Sequence, residues 1–314
     1  MQAGRNGQFG VVIGVAGEKN RTALYEHGAD MVVGDLGDIM LSEDDTTETT
    51  LAAAGPSALA RYADIEQRLR NKQLMVFLDY DGTLTPIVDQ PDRAKLSEAM
   101  RVTIRMLAQQ CPVAIISGRD REDIQRSVGI DTLFYAGSHG FDIAGPASKH
   151  TGYQQGVDFL PALDHAERAL RHRLASVRGA IVERKKFSIA VHFRGVAAPE
   201  ESAVEDNIDI VLRNHPTLRK GLGERVLELQ PRLNWNKGKA VLWLLDNLQL
   251  NHSDVLPLYI GDGMTDEDAF RALANRGLGI LVAESPRRTA ATYVLKDPTE
   301  VQEFLQRIRA SLEQ

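Results

Sequence analysis

Apolar runs and amphipathic segments alternate along most of the chain, and this alternation predicts an α/β protein with a parallel sheet. The runs at 74–78 (LMVFL) and 113–116 (VAII) are short and uninterrupted, as expected of strands that are buried on both faces. Residues 56–70 place their apolar side chains on one face of a predicted helix. Helices and strands alternate again from residue 237 to the end of the chain. We therefore predict right-handed crossovers between parallel strands.

The pattern changes between residues 143 and 230, where we predict an α+β insertion. Its predicted helices and strands are, in order, 163–177, 180–183, 188–193, 203–214 and 226–229. The chain thus leaves the parallel core and returns to it. The predicted core has a first part, 57–142, and a second part, 231–314, on either side of the insertion 143–230.

The first 40 residues predict a separate βαβ piece, in which a helix at 22–27 lies between strands at 9–16 and 31–33. Residues 41–50 (LSEDDTTETT) are acidic and rich in threonine, a composition typical of a flexible linker, which we extend over 41–56. A piece as short as 1–40 cannot bury a core of its own. We expect residues 1 to about 55 to be dispensable for catalysis, because they carry none of the candidate catalytic residues named below.

Two carboxylates follow the first predicted core strand directly. Asp79 and Asp81 stand two positions apart, so both side chains point to the same side of the strand, at the carboxyl end where parallel sheets bind ligands. Adjacent carboxylates repel unless a cation lies between them or one keeps a proton. The alternative interpretation is an Asp-Tyr-Asp-Gly turn that only closes the strand.

Three later segments repeat this design of a polar group at the end of an apolar strand or the start of a helix. Ser117 follows the strand 113–116 and precedes a helix, where a hydroxyl and helix amides favour an anion. Lys237 lies in the first turn of a helix, a position that suits a lysine if an anion binds nearby, and a solvated surface lysine is the alternative. Asp262 follows the strand 257–260 and fits an oxygen ligand of Mg²⁺. Turn and capping roles are the alternative for Ser117.

Composition narrows the function classes. The 314 residues carry a net charge of −6, which gives no basic field for nucleic acid or an anionic membrane. No apolar run approaches the length of a membrane span, and we expect no signal peptide. The single cysteine, Cys111, cannot form an internal disulfide, so the expected location is a reducing cytoplasm.

The segment D-x-D-G-T-x-T at 79–85 and the three later segments, in this order, resemble the four motifs of the haloacid dehalogenase (HAD) phosphohydrolases. The resemblance implies a HAD-like Rossmannoid parallel sheet with an inserted α+β cap. It implies that Asp79 is the nucleophile, that Asp81 is the general acid/base, and that Ser117 and Lys237 bind the phosphoryl group. Mg²⁺ would be held by Asp79, the main-chain carbonyl of Asp81, and Asp262. Gly263 stands where the family often has an aspartate.

Further segments resemble trehalose-6-phosphate phosphatases, namely AGSHG at 136–140, VERKK at 182–186, VHFR at 191–194 and WNKGKA at 235–240. The resemblance implies Mg²⁺-dependent hydrolysis of trehalose 6-phosphate, the final step of trehalose biosynthesis, through an aspartyl-phosphate. The substrate-binding residues it implies are Thr83, Gly118, Arg119, His139, Asp142, Lys185, His192, Arg194, Glu228 and Asp266. For Lys185, His192 and Arg194, an exposed turn or strand face is the alternative.

Two other functions stay open on the sequence alone. The same chemistry serves phosphatases and mutases for other sugar phosphates, and a catalytically silent chain could serve as a sugar-phosphate sensor. Residues 1–40 resemble the C-terminal end of a β-phosphoglucomutase-like HAD domain. A remnant of a fusion is one interpretation of this piece, and an element that docks to a trehalose-6-phosphate synthase is the other.

Overall fold

A computed structural model describes residues 13–15, 31–33, 55–88, 94–146, 152–223, 225–285 and 287–313. The chain divides into two units, Met1–Leu51 and Ala52–Gln314. In the first unit, β1 (Ile13–Val15) and β2 (Met31–Val33) pair in parallel, and both coincide with predicted strands. The helix predicted at 22–27 and the linker predicted at 41–56 lie outside the described residues, apart from the last two linker positions.

The second unit is built on an eight-stranded sheet. Its strands, from one edge to the other, are β14 (Tyr293–Leu295), β13 (Leu278–Val282), β12 (Val255–Gly261), β3 (Gln73–Leu78), β4 (Val113–Ile116), β5 (Phe134–Gly137), β6 (Asp142–Ala144) and β7 (Gly152–Gln154). Pairing is parallel from β14 to β5 and antiparallel for β6 and β7. The predicted α/β class with a mostly parallel sheet is confirmed.

The central strand β3 explains why its sequence is apolar without interruption. Leu74, Val76 and Leu78 face one hydrophobic core, whereas Met75 and Phe77 face a second core on the other side of the sheet. Both faces are covered by helices, which are α1 (Tyr62–Leu69), α2 (Glu98–Leu107), α3 (Arg121–Val128), α6 (Lys237–Asn247), α7 (Glu267–Leu273) and α8 (Pro298–Leu312). Alternate residues of a strand point to opposite faces, so a strand between two helical layers has no polar side.

An α+β layer is inserted between β7 and α6. Its helices and strands are α4 (Leu160–Arg173), β8 (Ile181–Arg184), β9 (Ile189–His192), α5 (Glu201–Asn214), β10 (Leu218–Gly223) and β11 (Val226–Pro231). The four strands form an antiparallel sheet in the order β10-β11-β9-β8, and both helices share a third hydrophobic core with this sheet. We refer to this layer, residues 160–231, as the cap.

Several strands of the second unit, among them β6, β7, β10 and β14, lie outside the ranges predicted as strands. β6 and β7 extend the large sheet beyond the predicted core boundary at residue 142, and β10 has the sequence LRKGLG. Each is too short, or too rich in glycine and charge, to show an alternating pattern. In the part of the chain that the structure describes, no helix is both long and apolar enough to cross a membrane.

Candidate active site

Asp79 is the first residue after β3 and lies at the carboxyl end of the sheet. Its amide continues the strand pairing by donating to the carbonyl of Ile260 at 2.9 Å. The side chain is buried, with 5% exposure. One carboxylate oxygen accepts a hydrogen bond from Lys237 Nζ at 2.7 Å, and the other lies 3.5 Å from the Thr83 hydroxyl. The strand therefore presents a buried carboxylate at the sheet edge predicted from the sequence.

Lys237 is the first residue of α6, which Asn236 caps by accepting the Lys239 amide at 2.9 Å. The Lys237 ammonium is buried and lies 2.7 Å from both Asp79 and Asp266. Burial alone would lower the pKa of Lys237, but the Asp266 and Asp79 carboxylates raise it above its ordinary value. The lysine stays charged, and its unfavourable position at a helix N-terminus is offset by these two acids.

Asp266 has partners on both of its carboxylate oxygens. Oδ1 accepts from Lys237 and from the Tyr259 hydroxyl at 2.6 Å, and Oδ2 accepts from the Gly263 amide at 2.7 Å. Burial, and then the charge of Asp266, raise the pKa of Tyr259 well above its ordinary value, so the phenol keeps its proton and donates. Asp266 therefore holds Lys237 in place, which agrees with the expectation from the sequence that Asp266 supports Lys237 or the metal shell, whereas its predicted substrate-binding role stays a prediction.

Asp79, Asp262 and Asp266 form an acidic cluster whose ligand atoms lie within 4.8 Å of one another. Burial is the main cause that raises the pKa of Asp79 well above its ordinary value. Burial, and then repulsion by Asp266, raise the pKa of Asp262 to about 6, and a hydrogen bond with Asp79 offsets part of that rise. These raised pKa values mean that the cluster favours an added positive charge.

The donor set fits a hard divalent cation. Carboxylate oxygens are the ligands that such ions prefer, and the ion would relieve the repulsion within the cluster. Both oxygens of Asp266 accept short hydrogen bonds, at 2.6 to 2.7 Å, whereas the contact of Asp79 Oδ2 with the Thr83 hydroxyl is long, at 3.5 Å, so Asp79 and Asp262 are the better placed ligands. Gly82 allows Asp262 this position, since its φ is 83° and a Cβ there would lie 2.1 Å from Asp262 Oδ2.

Asp81 has a different partner from Asp79, although the two carboxylates were predicted to emerge together. The Arg119 guanidinium binds it through two hydrogen bonds, Nε to Oδ2 at 2.7 Å and a terminal nitrogen to Oδ1 at 2.5 Å. The same guanidinium lies 5.0 Å from the centre of the Tyr80 ring. The Asp81 side chain is 42% exposed. It therefore lies outside the acidic cluster and on the solvent side of Asp79.

Ser117 and Gly118 lie at the end of β4, beside the turn that carries His139. The Ser117 hydroxyl is buried and accepts the Arg119 amide at 3.1 Å. A Cβ on Gly118 would lie 2.8 Å from the His139 ring, so the glycine gives that ring its place. His139 has a φ of 57° and its Nε2 lies 3.4 Å from Glu228 Oε2 in the cap. This turn therefore brings the core next to the cap.

Glu228 of β11 is the centre of a polar cluster on the cap side. It accepts the Ser188 hydroxyl at 2.5 Å and lies 3.5 Å from Lys185 Nζ, which in turn lies 3.4 Å from the Gly118 carbonyl. Burial would raise the pKa of Glu228, but hydrogen bonding to His139 and the charge of Lys185 lower it below its ordinary value. The structure thus brings together three predicted substrate-binding residues, His139, Lys185 and Glu228.

His192 faces the same side of the cap sheet but has a partner of its own, Glu183 Oε2 at 2.7 Å. The strand register places Glu183 and Glu228 on either side of Ala190, so Glu183 shares the row of Glu228. Glu183 was not among the predicted site residues, and only the register identifies it. Arg194 follows β9 and is exposed.

Asp142 was predicted to bind substrate and is instead buried between charged side chains. It lies 2.9 Å from Lys186 Nζ of the cap and 3.3 Å from Arg121 Nε, and it accepts from Gln154 at 3.0 Å. The contacts of Asp142 are thus with side chains of the core and the cap. The structure therefore places Asp142 in the contact between the core and the cap.

The acids at the carboxyl edge of a parallel sheet, the lysine from a following helix and the inserted cap together have the arrangement of a HAD-like fold. The fold is similar to a haloacid dehalogenase-like hydrolase from Bacteroides thetaiotaomicron (TM-score 0.55, 18% identity, 76% of this chain and 100% of that chain). It is also similar to the trehalose-6-phosphate phosphatase C-terminal domain of C. albicans (TM-score 0.68, 22% identity, 82% of this chain and 99% of that chain).

The sequence comparisons identify the family. The trehalose-phosphatase family model matches residues 77–299. Over 286 residues the chain is 43% identical to "Probable trehalose-phosphate phosphatase D" of Arabidopsis thaliana. The matched region covers 88% of this chain and 78% of that protein. The chain belongs to the trehalose-phosphatase family.

Proposed function

We propose that this chain hydrolyses trehalose 6-phosphate to trehalose and phosphate, as a phosphoric monoester hydrolase of trehalose biosynthesis. The observation that carries the proposal is the buried chain of contacts from Asp79 through Lys237 to Asp266, with Asp81 two residues beyond Asp79. A sensor of sugar phosphates would not need a buried carboxylate held by a lysine. Membership of the trehalose-phosphatase family favours this substrate over other sugar phosphates.

The chemistry assigned to the two aspartates follows from their surroundings. An Asp79 oxygen attacks phosphorus, the bond from phosphorus to the sugar oxygen breaks, and Asp81 gives that oxygen a proton. Asp81 then takes a proton from a water molecule, which attacks the aspartyl-phosphate and releases phosphate. Because Arg119 occupies both oxygens of Asp81, Asp81 must turn away from Arg119 to reach the leaving oxygen.

We propose Mg²⁺ as the cation of the acidic cluster, held by Asp79, Asp262 and the main-chain carbonyl of Asp81. The bound ion would neutralise charge on the phosphoryl group. Lys237, Ser117 and the amides after Asp81 would bind the remaining phosphoryl oxygens. Lys237 suits this role because it is charged, buried and already beside the nucleophile.

The sugar would bind between the core and the cap. A disaccharide presents many hydroxyl groups, which require buried polar partners. Lys185 and Glu228 supply such partners, and Glu183 and His192 stand next to them on the same sheet face. Thr83, Gly118, Arg119, His139 and Arg194 remain in the proposed substrate-binding set.

We expect phosphate release from trehalose 6-phosphate to require Mg²⁺ and to exceed that from glucose 6-phosphate and sucrose 6-phosphate. The acidic cluster lacks its counter-charge without a cation. Glucose 6-phosphate, which has a single sugar ring, cannot span the core and the cap. Phosphate release is measured for the three esters at equal concentration, with Mg²⁺ or with excess EDTA. Unchanged turnover in EDTA would refute the metal role, and equal turnover of either other ester would refute the substrate.

Substitution of Glu228 should weaken sugar binding without changing the phosphate chemistry. We expect Glu228→Gln to raise the KM for trehalose 6-phosphate by about tenfold or more, since it removes a charged acceptor from a buried cluster. Turnover of p-nitrophenyl phosphate, which does not reach the cap, should change less than about twofold. Glu200→Gln is the matched control, because Glu200 is an exposed glutamate of the cap. Equal losses on both esters would show that Glu228 acts structurally.

The location of the protein, the division of the chain and a partner protein are proposed from the sequence. We propose a cytoplasmic location, which the single cysteine supports. We also propose the division into residues 1–40, 41–56, a first core part that starts at 57 and a second core part 231–314. The predicted start of the insertion at residue 143 is too early, because β6 and β7 continue the core sheet to residue 154. Association with a trehalose-6-phosphate synthase through residues 1–40 is the corresponding hypothesis for a partner.

A further inference from the structure

Asp120 occupies the N-cap position of α3, directly after the Ser117-Gly118-Arg119 segment. Among the described residues its carboxylate caps none of the amides of that helix. It points to the cap instead, where the Lys186 amide donates to both of its oxygens, at 3.0 and 2.9 Å. An N-cap aspartate normally accepts amides of its own helix. The position of this carboxylate therefore serves a contact between core and cap.

The core residue Ser138 holds the Asp120 carboxylate in this direction. Its hydroxyl donates to Asp120 Oδ1 at 2.8 Å, from a turn in which Ser138, His139 and Gly140 have φ values of 50°, 57° and 92°. Positive φ costs free energy for residues other than glycine. The backbone of this turn is thus strained at the point where Ser138 reaches Asp120 and His139 reaches Glu228.

The amide that Asp120 binds belongs to the tight turn between β8 and β9. The turn is closed by the Lys185 amide, which donates to the Ser188 carbonyl at 2.9 Å. A second core acid, Asp142, pairs with the Lys186 ammonium at 2.9 Å. Fixing Lys186 in this way fixes its neighbour Lys185, whose ammonium lies over the Gly118 carbonyl and beside Glu228. Asp120 and Asp142 of the core thus hold Lys186, and through it they position Lys185 where the cap meets the core site.

We propose that Asp120 is a positioning residue for the phosphatase reaction: by binding the Lys186 amide it docks the β8–β9 turn on the core and so holds Lys185 and the cap over the reaction centre. It touches no reacting atom and acts through the turn. Its effect on turnover rests on the proposed function, whereas the docking contact itself does not. Without Asp120, substrate binding must supply the free energy that the docking contact now contributes.

Hydrogen–deuterium exchange and kinetics test the proposal on the full chain. In Asp120→Ala we expect the Lys186 amide to exchange at least about tenfold faster without substrate, since it loses a charged acceptor. The KM for trehalose 6-phosphate should rise about tenfold, while kcat/KM for p-nitrophenyl phosphate changes less than about twofold. Exchange is followed by mass spectrometry on overlapping peptides across residues 184–188. Asp120→Asn keeps one acceptor oxygen and should fall between Asp120→Ala and the unmodified protein.

Asp123→Ala is the matched control, because it also removes a negative charge from the first turn of α3 but pairs only locally, with Arg126. It should leave unchanged the exchange rate of the Lys186 amide, the KM for trehalose 6-phosphate and kcat/KM for p-nitrophenyl phosphate. Unchanged exchange at Lys186 in Asp120→Ala would refute the docking contact, and faster exchange with an unchanged KM would refute its role in substrate binding. If Asp120→Ala speeds hydrogen exchange throughout the protein, Asp120→Asn is the deciding variant. Faster exchange in Asp120→Asn that is confined to residues 184–188 supports the proposal, and equally faster exchange in all peptides refutes it. Failure of the proposed function would be visible separately, as absence of phosphate release by the unmodified chain.

Discussion

Asp79→Asn will abolish turnover of trehalose 6-phosphate and leave the fold intact. The amide has the shape of the carboxylate but cannot attack phosphorus, so we expect a loss of at least about 10⁴-fold. The fold should tolerate the change because the carboxylates of the cluster repel one another and Lys237 keeps its 2.7 Å contact with Asp266. Phosphate release and a thermal melt in EDTA measure the two effects.

The melting temperature of Asp79→Asn in EDTA should equal or exceed that of the unmodified protein, since one buried negative charge is removed. Acid-quenched unmodified enzyme should carry a phosphoryl group on the peptide that contains Asp79, and the variant should not. Asp254→Asn is the matched control, because Asp254 is exposed and precedes the strand that carries Asp262. Residual turnover above about 1%, with deamidation excluded by mass spectrometry, would contradict the covalent mechanism.

Lys237→Met should lower the free energy of unfolding strongly. Methionine fills similar space but leaves Asp79 and Asp266, each 2.7 Å from the lost ammonium, buried without their cation. Removal of one partner from a buried ion pair costs about 3–5 kcal/mol. Urea unfolding in EDTA measures this, and Lys239→Met, two residues further along α6 and partly exposed, should change the free energy of unfolding by less than about 0.5 kcal/mol.

The destabilisation in Lys237→Met should depend on pH in a defined direction. Burial already raises the pKa of Asp79, and Lys237 opposes that rise, so the variant's folded state binds a proton more tightly than its unfolded state does. An acid with a raised folded-state pKa loses stability as pH rises from the unfolded value, near 3.9, through the folded value. The difference in free energy of unfolding between the variant and the unmodified protein should therefore be smallest near pH 4 and largest near pH 8. The same deficit at both pH values would show that lost packing, and not charge, causes it.

The cap residues show where sequence patterns stop being informative. Lys185 and Glu228 were named as candidates from a family resemblance, and the structure places them 3.5 Å apart. Asp120 directly follows the Ser117-Gly118-Arg119 segment, but its partner Lys186 lies 66 positions away. Tyr259 looked like one more residue of a buried strand, although a buried phenol needs a partner, which is Asp266. No periodicity connects such pairs, since each pair meets only when separate elements pack.

The sequence by itself determined the parallel sheet, the insertion between its two parts and the acidic and basic residues at the strand and helix ends. These features depend on local patterns, because a strand buried on both faces must be apolar throughout and its polar groups must follow its last residue. Only the tertiary structure decided further partners of the charged residues: Asp81 binds Arg119, Asp120 faces the cap, and Asp142 pairs with Lys186. Partner choice depends on which groups are buried together and on the free energy of leaving a buried charge unpaired, and both are properties of the packed chain.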